Sequence, residues 1–119
     1  MKPLSHFFSV IDYTASGADD QPAIAAEFAR LQEDWVASYP RFVSARFPAN
    51  TDGSSVCAIV EWASEMDFHN LERVSDNKGR IAALAAAFEH VAAKGARRTF
   101  RAIGEVGPTP AASPAKTGA

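Results

Sequence analysis

The segment VCAIVEW, residues 56 to 62, restricts the possible folds more than any other part of this sequence. Five apolar residues in a row, Val56 to Val60, are too few for a membrane span, and with Ile59 the run is rich in the β-branched residues that favour strands. Side chains on a strand alternate between faces, so Val56, Ala58 and Val60 point one way while Cys57 and Ile59 point the other. Both faces must therefore be covered. SHFFSVIDY, residues 5 to 13, has the same property, with Phe8 and Val10 opposing Phe7 and Ile11. Helices of the chain can cover one face of such a sheet. An apolar second face left in water demands a partner, and a homodimer packed sheet against sheet is expected.

The remaining periodicity supplies the helices. Asp19 and Asp20 end a loop and can cap the next segment, in which Ile24, Phe28, Leu31 and Trp35 recur at helical spacing from Ala23 to about Ser38. Extended structure resumes after Pro40, and Asp52-Gly53 marks a hairpin between two strand-like runs. Ser64 and Asp67 fit a capping box for a short helix from Glu65 to Val74. A longer, alanine-rich helix follows with Ile81, Leu84, Phe88 and Val91 as its stripe and Gly95 as its C-cap. RRTFRAIGEV, residues 97 to 106, reads as the last strand. Residues 1 to 106 thus form one domain, and the Pro- and Ala-rich residues 107 to 119 a flexible tail. The order β-α-β-β-α-α-β predicts an α+β, ferredoxin-like split βαβ fold with a four-stranded antiparallel sheet.

Composition narrows the function. The formal net charge of -2 gives no electrostatic reason to bind nucleic acid or an anionic membrane, and the cluster Arg97, Arg98, Arg101 reads as solvated strand edge. A single cysteine, Cys57, excludes an internal disulfide and a multi-cysteine metal site, and reads as a buried structural thiol. With no signal-like start and no apolar run near the ~20 residues of a membrane helix, a cytoplasmic protein is expected.

The hairpin RFVSARFPANTDGSSVCAIVEW followed by ASEMDF resembles the antibiotic-biosynthesis monooxygenase family, of the dimeric α/β barrel superfamily. The matching residues are Pro40, Phe42, Asp52, Gly53, Trp62, Ser64 and Glu65, within a likeness spanning roughly residues 5 to 106. The resemblance implies a cofactor-independent monooxygenase that oxidises an aromatic polyketide-type or quinol substrate with molecular oxygen, needing no metal or other cofactor. In such enzymes the deprotonated substrate reduces oxygen directly, and the protein positions, desolvates and stabilises the anion. Trp62 matches the family's pocket tryptophan, and Phe68 stands where members often carry tyrosine. The chain departs from quinone-forming members at Ala58, where they carry asparagine, and at Pro48, where they place a histidine.

The candidate site residues follow from residue type and placement. Trp62, Phe68, Trp35 and Phe28 are expected to wall an aromatic pocket, because large rings recur at half-buried binding surfaces. His69, on the short helix, is a candidate general base, and Asp12 at the end of the first strand is a candidate proton abstractor. Arg46, a charge on an otherwise apolar strand, could hold an oxyanion. Two other readings keep the same fold: a non-enzymatic ligand-binding or interaction dimer, and a haem-degrading oxygenase using His69 or His90 as axial ligand.

Overall fold

Strand β3 (Ser55–Trp62) alternates as its sequence requires: Val56, Ala58, Val60 and Trp62 are buried, while Cys57, Ile59 and Glu61 are half-exposed. The computed structural model describes residues 6–74, 77–91 and 94–109. In chain order the other elements are β1 (Phe7–Thr14), a 3-10 turn at Ala18–Asp20, α1 (Gln21–Trp35), β2 (Phe42–Arg46), α2 (Glu65–Val74), α3 (Asn77–Val91) and β4 (Gly95–Arg101). The four strands form one sheet in the order β2-β3-β1-β4, with every neighbouring pair antiparallel. This is the expected ferredoxin-like α+β fold.

Register fixes which side chains share a face. Phe7 lies opposite Trp62, Ser9 opposite Val60, Ile11 opposite Ala58 and Tyr13 opposite Val56, so these residues form the helix-side face. Phe8, Val10 and Asp12 lie opposite Glu61, Ile59 and Cys57 on the other face. On α1, Ile24, Phe28 and Leu31 are buried and Trp35 packs beside them. Tyr13 stacks on Phe28 with ring centroids 3.9 Å apart, joining β1 to α1. A second cluster gathers Phe7, Val36, Val60, Trp62, Phe68 and Leu71 under α2.

Local chemistry explains several boundaries. At the start of α2, the Asp67 backbone N–H donates to Ser64 Oγ at 3.3 Å while that hydroxyl donates to the Asp67 carboxylate at 2.7 Å, as the capping pattern anticipates. Between β2 and β3, Asn50 and Asp52 side chains accept backbone N–H bonds from Asp52 and Ser54, and Gly53 adopts φ 85. A side chain at Gly53 would also meet the backbone nitrogen of Ala18 at 3.0 Å, so only glycine fits this turn.

Four expectations need correction. Helix α1 begins at Gln21 and ends at Trp35, and its N-cap residue Asp20 makes no side-chain capping bond because the preceding 3-10 turn supplies the approach. On α3 the buried residue is Ala87, whereas Ile81 is 58% exposed: the small alanine face lets the helix lie close to α1 and rolls Ile81 outward. Gly95 opens β4 instead of capping α3, because a Cβ there would lie 2.7 Å from Cζ of Phe88. The strand then ends at Arg101, opposite Phe7, the first residue of its partner β1, and Ile103 and Val106 beyond it are exposed. The flexibility expected of the tail falls mostly outside the described residues.

Candidate functional site

Trp62 ends β3 between Phe7 of β1 and Phe42 of β2, and its indole is buried. Phe42 meets it edge-on at 5.6 Å and Phe68 at 6.4 Å, so β2, β3 and α2 converge on one ring. Such contacts contribute roughly 0.5–1.5 kcal/mol each beyond area burial. Above this aromatic floor, an inner cleft of about 70 Å³ opens between the sheet and the three helices. Ser9, Tyr13, Trp62 and Phe68 line it together with Gln32 of α1, Arg80 of α3 and Arg97 of β4.

Two of these side chains present buried polar atoms with no hydrogen-bond partner: Oε1 of Gln32 and Nε of Arg80. A buried acceptor or donor left unsatisfied costs about 1–3 kcal/mol, so these two atoms are the ones in the cleft lining with hydrogen-bonding capacity to spare. The arginine is otherwise held in place, its Nη2 donating to Asn77 Oδ1 at 2.8 Å. Burial pushes the Tyr13 phenol well above its ordinary range, so it stays neutral in the cleft wall.

The inner cleft adjoins an outer groove of about 330 Å³, for Ile11, Arg80, Leu84 and Arg97 line both. Ile81, Phe88 and Gly95 form the apolar side of this mouth and Glu72 its acidic rim. The Arg97 guanidinium lies 5.4 Å over the Phe68 ring and 3.6 Å from Glu72. Arg101 reaches Glu65 at 3.1 Å. These solvent-exposed contacts join α2 to β4 and are weakened by salt.

The sequence-derived candidates separate into two groups. Trp62 and Phe68 line the cleft, Phe28 lies buried behind Tyr13, and Trp35 borders a shallow depression between α1 and α3. Asp12 and Arg46 pair in register with Cys57 and Ile59, and therefore occupy the opposite face of the sheet. There Asp12 accepts from Arg98 Nη2 at 3.2 Å. His69 is half-exposed on α2 between Glu65 at 3.3 Å and Glu72 at 3.5 Å and does not line the cleft. His6 contacts Glu61 and His90 contacts Glu27, and although the His69 ring lies 5.5 Å from that of Phe68 and 6.3 Å from that of Phe7, no histidine of the described residues lines the cleft. Cys57 is half-exposed, not buried, and burial together with the Asp12 carboxylate raises its thiol pKa. Among the described residues no three His, Cys, Asp or Glu side chains come together as a metal site.

Sequence reasoning missed Gln32, Arg80 and Arg97, although a signal existed for two of them. Gln32 follows Ile24 and Phe28 at steps of four, and Arg80 precedes Leu84 and Phe88 at the same step, so each stands as a polar residue within an apolar stripe.

Comparison with known proteins places this arrangement. The structure superposes on a monooxygenase from the gene ActVA-Orf6 of Streptomyces coelicolor, solved in complex with nanaomycin D, with TM-score 0.72 and 21% identity, covering 88% of this chain and 94% of that one. The fold is that of the antibiotic-biosynthesis monooxygenases. SnoaB, a cofactor-independent oxygenase from Streptomyces nogalater, matches with TM-score 0.59 and 18% identity over 86% of this chain and 97% of its own. In sequence, the tetracenomycin-F1 monooxygenase of Streptomyces glaucescens is 28% identical over 68 residues, 57% of this chain and 61% of that protein. The match thus spans less than two thirds of that monooxygenase. No family model matches the chain.

Proposed function

We propose that the protein is a cofactor-independent monooxygenase that oxidises a phenolic or quinol-type aromatic of polyketide character with molecular oxygen. The observation that carries this reading is the pairing of an orphan acceptor, Gln32 Oε1, with an orphan donor, Arg80 Nε–H, over an aromatic floor. A hydroquinone or hydroxyanthrone has the complementary groups: one hydroxyl donates to Gln32 while a second oxygen accepts from Arg80. Trp62 and Phe68 give the ring an apolar seat.

The chemistry then requires little more than charge stabilisation. No carboxylate lines the inner cleft among the described residues, so the guanidinium lowers the cost of forming the substrate anion and the proton leaves to solvent through the mouth. The electron-rich anion adds oxygen at a ring carbon that bears hydrogen, and the peroxide anion takes up a proton from solvent to give a hydroperoxide. Loss of water from that hydroperoxide leaves the quinone. The electrons that reduce oxygen come from the substrate, which accounts for a reaction without a cofactor. Half-buried, with its Nε shielded from solvent, the Arg80 cation acts on this charge more strongly than it would in water.

We also propose that the working unit is a homodimer. Phe8, Val10, Cys57 and Ile59 form an apolar band on the face of the sheet that no helix covers, and Phe100, 46% exposed, extends it opposite Phe8. Asp12 and Arg46 on that face belong to the dimer contact in this reading. A cytoplasmic location accords with the single unpaired thiol, and no helix among the described residues is long and apolar enough to cross a membrane. Oxygen consumption with a panel of hydroxyanthrones and naphthoquinols tests the activity; turnover lowered about a hundredfold by R80Q supports it, and binding without any oxygen uptake favours a non-enzymatic ligand carrier.

A further inference from the structure

We infer that the substrate is an aromatic acid, and that Arg97 is the specificity-determining residue that receives its carboxylate at the mouth of the cleft. This rests on the reading of the cleft as the aromatic site. Strand β4 carries three arginines, and their engagements differ. Arg98 donates to Asp12 at 3.2 Å and Arg101 to Glu65 at 3.1 Å, so each guanidinium is hydrogen-bonded to a carboxylate. Arg97 stands 3.6 Å from Glu72, beyond hydrogen-bond length, and is the one of the three that lines both the inner cleft and the outer groove. Its planar fork is therefore oriented by the Phe68 ring and engaged by Glu72 only through a 3.6 Å ion pair, with no hydrogen bond.

Size gives the second argument. About 70 Å³ cannot enclose a fused ring system, so a ligand seated on Trp62 must extend past Arg80 into the groove of about 330 Å³. The groove is apolar along Leu84, Phe88 and Ile81, which suits further rings, and basic on its β4 side. A carboxylate carried on the outer end of the molecule meets the Arg97 fork in the geometry that allows two parallel N–H···O bonds. Glu72 sits on the same rim and competes for that guanidinium. The mouth thus rejects a neutral or cationic tail and favours an acidic one, tuned by one opposing carboxylate.

The test is calorimetric binding of three probes that share a ring system: 6-hydroxy-2-naphthoic acid, its methyl ester and 2-naphthol. The wild-type protein is expected to bind the acid about tenfold more tightly than the ester, an advantage that shrinks as salt rises, since Arg97 is partly exposed. R97Q removes the advantage, R97K retains only the part that charge alone supplies, and E72Q enlarges it by releasing the guanidinium; a gain of binding cannot come from a misfolded variant. Weaker binding of 2-naphthol to W62F shows that the probes occupy the aromatic cleft. With that established, equal binding of acid and ester, or an advantage untouched by R97Q, overturns the acid preference and leaves the cleft reading intact. Failure of all three probes to bind overturns both.

Discussion

Arg97 lies with its guanidinium carbon 5.4 Å from the centroid of the Phe68 ring, and this contact ties the exposed edge strand β4 to the helix that walls the aromatic cleft. Arg97 and Glu72 line the same outer groove, so this contact places a guanidinium at the mouth of the cleft.

Trp62 is buried in the core and lines the cleft, and W62F tests whether it also binds ligand. The smaller ring leaves part of a buried volume empty and is expected to cost about 1–3 kcal/mol of stability while the fold persists. Binding of a phenolic ring should weaken roughly tenfold, read by calorimetry beside a thermal melt. An unfolded variant, together with no aromatic ligand for the wild type, would make Trp62 a core residue only.

Gly95 packs so closely that G95A must move its neighbours. The added Cβ would lie 2.7 Å from Phe88 Cζ and 3.2 Å from Ile11 Cγ2, both lining the outer groove. Overpacking of this kind costs about 1–3 kcal/mol. A lower melting temperature and altered binding of long, multi-ring ligands are expected; an unchanged melting temperature would show that Phe88 yields freely.

The buried phenol of Tyr13 makes stability fall in alkali. Burial raises its pKa above the ordinary value near 10, so the native state keeps a proton that the unfolded chain releases. The contribution is fully present below pH about 10 and is lost as pH climbs further toward the raised folded value. Denaturant melts across this range should show a steeper alkaline decline for the wild type than for Y13F, and identical slopes would contradict the assignment.

The uncovered sheet face predicts an association constant that a single charge destroys. Sedimentation of the wild type should give twice the 12.7 kDa chain mass. Ile59 lies amid the apolar band, and I59D is expected to yield folded monomer. A wild-type monomer at micromolar concentration would remove the dimer from this account.

Much of the fold was legible because its signals are local. Val56 to Trp62 alternates at period two, Ile24 to Trp35 repeats at helical spacing, and Ser64 with Asp67 caps α2 through neighbours in sequence. The misread features depend on what lies across space. Ala-rich α3 is apolar on nearly every side, so its sequence does not tell whether Ile81 or Ala87 faces α1. Gly95 serves close packing against Phe88, which resembles a helix stop when read along the chain. Gln32 and Arg80 become a site only when α1 and α3 meet over the sheet, whereas Asp12 and Arg46, conspicuous as charges, fall on the other face through strand parity.

The account's central claim is that Arg80 stabilises a substrate anion inside the cleft, and the ionisation of a bound phenol reports on it directly. An absorbance titration of 2-naphthol held by saturating protein should show naphtholate forming at a lower pH than in free solution. R80Q should bring the midpoint back to the free value or above it and reduce turnover about a hundredfold. A bound naphthol that ionises at the same pH in the wild type and in R80Q would contradict the claim.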